Sequence, residues 1–169
     1  MGVMGAATRG VLAGAVATLA MDLVWYRRYR SGGGERSFGD WEFSSDASDF
    51  DDAPAPAKVG KRIADTFGVD LEPSSISTVN NAVHWTTGIG WGKVAGIVSA
   101  AAPVPPIAVG VATGVAALAA SYAALGAVGV YQPVTEYDSE TLLQDLTAHL
   151  VFGAVLGVTL AMLRSRRRR

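Results

Sequence analysis

The sequence predicts an all-α membrane protein: a four-transmembrane-helix bundle built from two tandem helical hairpins that repeat in parallel. Three observations lead there. Half of the 169 residues are hydrophobic and the mean hydropathy is positive, which is too apolar for an average soluble domain. Residues 94–135 carry no charged side chain. That run, broken near its start by APVPP at 102–106, is long enough for two crossings joined by a tight turn, since about 20 apolar residues span the hydrocarbon. A single long core helix in water would need a polar face, which this run lacks. Finally, the chain holds two histidines, His84 and His149, and each opens an H-x3-G-x3-G run.

Taken in order, the first helix covers about residues 5–26, carries the acid Asp22 past its middle and ends in WYRRYR. A cleavable signal peptide would place its positive charges mainly before the apolar run. Here most follow it, so a retained span is favoured, with Trp25, Tyr26 and Tyr29 at headgroup level. Residues 31–57 read as an acidic flexible loop punctuated by Gly and Pro. Its Asp46, Asp49, Asp51 and Asp52 invite a Ca²⁺ reading, but the regular acid spacing and distal Glu of an EF-hand loop are missing, which leaves a solvated acidic loop. Val59, Ile63 and Phe67 then share one face, with Lys58, Lys61 and Arg62 off it. This fits a short amphipathic helix on the membrane surface or a plain surface turn.

Pro73 and the serines after it supply start signals for a second span over about 77–100, and a third follows over about 106–131. After the loop QPVTEYDSE, Asp138 or Ser139 is the natural N-cap of the fourth, 141–163. Residues 164–169 form a basic tail with five arginines, suited to anionic headgroups or simply to water. The whole chain, 1–169, reads as one integral membrane domain.

The repeat lies in the spacing. Asn80, His84, Gly88 and Gly92 recur as Asp145, His149, Gly153 and Gly157, each set four residues apart and hence one drifting stripe on a helix. Gly10, Gly14, Thr18 and Asp22 recur as Gly110, Gly114, Leu118 and Tyr122. Two crossings return the chain to its starting side, so the two units point the same way. Antiparallel packing within each unit puts the eight glycines toward the chain termini, where small-x3-small stripes let backbones approach. Asp22, Asn80, His84, Tyr122, Asp145 and His149 should then gather in the opposite half, under the loops. Intramembrane ionisable groups cost about 2.5–3.5 kcal/mol each on insertion scales, and grouping them lets each find a partner.

That polar cluster is the candidate site. Its plainest role is to hydrogen-bond across helices and fix a structural or interaction component whose Gly stripes bind a second copy or another membrane protein. The alternative is a site that handles protons or small cations, because imidazole titrates near neutral pH and carboxylates sit at helical spacing, as in Asp145 and His149. Two histidines with Asp22 and Asp145 could in principle ligate a metal or haem, but neither His has a second His at i+3 or i+4, so no metal or cofactor is expected. No Ser or Thr is singled out beside a His and the chain has no cysteine, so no catalytic residues are assigned. Lys93 interrupts the second span toward the glycine side, where its stem can snorkel to the interface. The expected partner is the lipid bilayer, not nucleic acid, because the dense basic run is confined to the tail. Basic residues divide evenly between the two sides, and the dense tail tips the expectation toward both termini inside.

The elements GAVATLAMD, AVHWTTGIGWG and DLTAHLVFGAVLG resemble bacterial inner-membrane proteins of the uncharacterised YagU-like type. The resemblance covers the helices and implies a multi-pass protein of the bacterial plasma membrane connected with acid tolerance. It carries over no functional residues, and the linker 31–57 and the Arg-rich tail have no counterpart in it.

Overall fold

The computed structural model describes residues 2–165; Arg166 to Arg169 of the expected basic tail lie outside the described residues. The helices are α1 (Val3–Ser31), α2 (Phe38–Glu42), α3 (Ala55–Thr66), α4 (Ile76–Ala101), α5 (Pro106–Ala127) and α6 (Ser139–Ser165). Among the described residues there is no strand. Three helices, α1, α5 and α6, are long and apolar enough to cross a membrane. The fourth long helix, α4, which carries Asn80, Asn81, His84 and Lys93, is not among those three.

Helix ends follow local chemistry. Helix α1 runs about a turn past its expected end, because WYRRYR contains nothing that opposes a helix. It stops at the glycines, where Gly32 N–H bonds the Arg28 carbonyl at 2.9 Å and Gly33 adopts φ +93°. Helix α5 ends at Ala127, short of the expected residue 131, because Gly129 turns the chain at φ +67° and Val130 N–H returns to the Leu125 carbonyl. At α6 the cap is Asp138, whose carboxylate accepts from Thr141 N–H and Thr141 Oγ1–H, both at 2.8 Å. Those bonds hold the Asp138 carboxyl below its ordinary value.

The long helices pair as α1 with α4 and α5 with α6, while α1 also lies along α6; α4 and α5 touch far less. Both pairs are antiparallel and meet at glycines. A methyl on Gly10 or Gly14 would strike the backbone of Gly92, Lys93, Gly88 or Ile89, and one on Gly110 or Gly114 would strike the backbone of Gly153, Gly157 or His149. The eight glycines named from the sequence are therefore spent inside the chain. Their stripes are not on an outer face, and a partner helix would have to dock elsewhere. Between the pairs, Phe152, Leu156 and Leu160 of α6 fill a core with Ala13, Ala17 and Met21 of α1. Large apolar side chains such as Leu12, Leu19, Leu23, Val115, Val158 and Met162 point outward. Small residues along the helix seams with large apolar side chains also facing outward is an arrangement that suits lipid as solvent.

The segment 31–57, read from sequence as a flexible loop, carries α2 and a small core of its own. Phe50, Ala53 and Ala57 are buried with Ile76. Helix α3 lies against α4, Gly60 sitting on Val79, and leaves Ile63 and Phe67 exposed. Its Arg62 guanidinium donates to the Val128 and Gly129 carbonyls that follow α5.

The glycine seams make a clean contrast. Gly92→Ala should destabilise the fold by about 1–3 kcal/mol through backbone overpacking, whereas Gly90→Ala, with open space around its Cβ position, should be neutral or slightly stabilising. Unfolding by SDS titration in mixed micelles measures both; equal stabilities would refute the close approach.

Candidate functional site

Above the seams the two pairs separate around a cavity of about 870 Å³. Its α4 wall runs from Asn80 to Trp91 and its α5 wall from Ala117 to Leu125, the halves of those helices away from the chain termini. At the other end Ala6, Arg9, Gly96, Ser99, Leu160 and Arg164 lie together, so both ends of the described chain share one side of the bundle. All six polar residues singled out from the sequence, Asp22, Asn80, His84, Tyr122, Asp145 and His149, line the cavity.

Their pairing differs from the simplest expectation. On the α1–α4 side, His84 Nε2 meets Asp22 Oδ1 at 2.8 Å, a bond between helices. Asp22 is 4% exposed, and its other oxygen, Oδ2, has no hydrogen-bond partner; nor has Asn80 Oδ1. On the α5–α6 side Tyr122 O–H donates to Asp145 Oδ2 at 2.6 Å. His149 does not take the carboxylate four residues before it. Its Nδ1–H donates to the Asp145 backbone carbonyl at 2.9 Å, which leaves Nε2 facing away from that bond. The helical spacing of Asp145 and His149 thus produces a backbone contact, because the Asp145 side chain is turned across to Tyr122. Bridging between helices falls to His84, and His149 stays within its own helix.

Helix α2 forms the roof, and sequence reasoning missed it. Trp41, Glu42 and Ser44 line the cavity. The roof is pinned to α4 by Asn81 Nδ2–H donating to the Glu42 carbonyl at 2.7 Å and Trp85 Nε1–H donating to Glu42 Oε1 at 3.1 Å. Phe38 and Trp41 pack on Tyr26 with ring centroids 5.3 and 5.5 Å away. Burial pushes the Glu42 carboxyl above its ordinary value; the Trp85 N–H opposes this, the Asp22 charge adds to it and His84 offsets it. The signal available in sequence was the aromatic cluster Phe38, Trp41 and Phe43 within an acidic linker. At the rim, Arg28 donates to the Gln144 carbonyl at 2.9 Å while its guanidinium lies 4.7 Å over the Trp25 ring. Tyr131, packed on Tyr122 and Tyr137, is pushed up to about 12 by burial and the nearby Asp145 charge, and is neutral at physiological pH.

Lys93 is exposed, on the glycine side as expected. No group of three metal-ligating side chains occurs among the described residues.

Helices and cavity together define a helical protein compatible with a small membrane protein, carrying in one half of the bundle a largely apolar cavity with polar residues in its wall. The chain matches no family model, no curated protein and no solved structure. The YagU-like resemblance therefore rests on its three helix motifs alone.

Glu42 yields a pH test. The folded chain holds its proton more tightly than the unfolded chain does. The resulting stabilisation is complete below the ordinary value of 4.5 and is lost as pH rises through the raised folded value. Glu42→Gln keeps an acceptor for Trp85 and should remove that loss, so the melting temperature of the variant should fall less than that of the parent chain as pH rises from 4.5. Identical pH profiles would show that Glu42 is not desolvated.

Proposed function

We propose that the chain is a small multi-pass membrane protein that handles protons and small monovalent cations at this cavity. One observation carries the reading: the Asp22–His84 pair at 2.8 Å on a cavity wall, Asp22 buried and His84 half-buried, with Asp22 Oδ2 lacking a partner. An ionisable residue inside a membrane segment is a functional candidate by default because it is costly to keep there. The pair offers two states of similar charge. Either a proton on His84 balances the Asp22 carboxylate, or the imidazole is neutral and a cation takes its place. Exchange of one for the other couples cation entry to proton release.

In this reading α4 is a fourth crossing. Its 26 residues, at about 1.5 Å each, exceed the roughly 30 Å of hydrocarbon. The helix lies antiparallel along α1, and only residues 102–105 separate it from α5. The pairing of Gly10 and Gly14 with Gly92 and Gly88, and of Gly110 and Gly114 with Gly157 and Gly153, supports a duplicated hairpin. Both termini would then face the cytoplasm of a bacterial inner membrane, beside the tail arginines. A purely structural component is the rival role. It would need the polar bonds only as fasteners and would use an outer face, not the glycine stripes, for self-association or a partner.

Proteoliposomes with a trapped pH dye decide between them. An imposed Na⁺ or K⁺ gradient should drive proton movement, and Asp22→Asn or His84→Ala should lower its rate at least about tenfold while the protein keeps its melting transition. A parent protein that moves no protons, or variants as fast as the parent, would sink the reading.

A further inference from the structure

Resting on that reading, we infer that the cavity, besides small inorganic cations, takes an organic cation with an apolar body, such as a lipophilic amine, ammonium or phosphonium. Size is the first argument. About 870 Å³ lies toward the upper end of the roughly 300–1,000 Å³ of small-molecule sites and far exceeds what a single desolvated ion fills.

Charge is the second. Three carboxylates, Asp22, Glu42 and Asp145, line the cavity, against one guanidinium, Arg28. That guanidinium is engaged with the Gln144 carbonyl and the Trp25 ring, not with a carboxylate. Glu42 and Asp145 take only neutral donors, Trp85 and Tyr122, and Asp22 keeps one oxygen unpartnered in a nearly fully buried position. Apart from Arg28, and His84 when it carries a proton, the wall lacks positive charge, and a ligand that brings it offsets the cost of burying the acids.

Surface chemistry is the third. Trp25, Trp41 and Trp91 contribute ring surface to the same cavity, beside apolar Leu118, Leu125 and Phe152. Aromatic faces attract weakly hydrated cations, and Arg28 over Trp25 at 4.7 Å already displays that contact at the rim. A metal ion gains little from such walls, whereas an organic cation uses both the acids and the rings.

Tetraphenylphosphonium is the probe, with neutral triphenylphosphine oxide as its comparator. Equilibrium dialysis of the purified full chain in detergent, corrected for protein-free micelles, should show saturable binding of the cation. Affinity should drop at least about tenfold in Asp22→Asn, with the comparator binding at least tenfold more weakly than the cation. Trp91→Leu, which keeps the acids, should also weaken binding and guards against misfolding of the first variant; each variant is scored only with its melting transition intact. Equal binding of the comparator, an unchanged affinity in both variants, or a phospholipid that stays in the cavity through purification and excludes the probe would each overturn the inference. If the phosphonium fails while Asp22-dependent proton movement with Na⁺ or K⁺ persists in proteoliposomes, the inference falls and the reading beneath it stands. If neither is seen, both fall.

Discussion

The close approach of backbones along the two glycine seams is the constraint on which the rest depends. Where Gly10 and Gly14 meet Gly92 and Gly88, and where Gly110 and Gly114 meet Gly157 and Gly153, no side chain separates the helices. Toward the other end the same stripes continue with larger residues, Thr18 and Asp22 on α1 and Leu118 and Tyr122 on α5. Helices held together at one end and spaced by side chains at the other leave room between pairs, where α4 touches α5 and α6 far less than it touches α1. The cavity occupies that space. Glycine placement thus sets both the tight half of the bundle and the open half.

Within the open half the two pairs solve one problem differently. Each has a polar residue near the end of its first helix and two near the start of its second. In the first pair the acid is on the leading helix and meets a histidine, as Asp22 with His84. In the second the acid is on the following helix and meets a phenol, as Asp145 with Tyr122, and its histidine turns to its own backbone. One pair therefore joins its acid to an imidazole, while the other joins its acid to a phenol. This inequality, more than any likeness between the halves, distinguishes the two walls of the cavity.

Much of this was legible in the sequence, because helix spacing is a periodic signal. The four long helices, the glycines that face each other and the six polar residues that share a cavity all follow from stripes at intervals of four and from antiparallel packing. What escaped was set by tertiary contact. Nothing periodic marks Phe38–Glu42 as a roof; its place depends on Asn81 and Trp85 of a distant helix and on the rings of Tyr26 and Tyr29. Spacing also could not say which way Asp145 would turn, since Tyr122 and His149 compete for it from different helices. Ends of α1 and α5 moved for a plainer reason: a run of apolar or aromatic residues does not say where a helix stops, and a glycine at positive φ does.

The position of the roof bears on the cost of the site beneath it. A carboxylate at the centre of a lipid bilayer would be held against the full desolvation penalty, but these acids lie in the half of the bundle that carries the long polar connections. Residues 32–54 bring an exposed, acid-rich surface over that half, and the ion pair of Arg36 with Asp46 at 2.5 Å, which raises the one and lowers the other, holds a fold of it in place. Glu42 sits at the boundary, half-buried between this surface and the Asp22–His84 pair. The burial that disfavours its charge is the same burial that shields Asp22 below. An acid in the roof and an acid in the wall are thus coupled through one low-dielectric space, and a positive charge entering between them would relieve both at once.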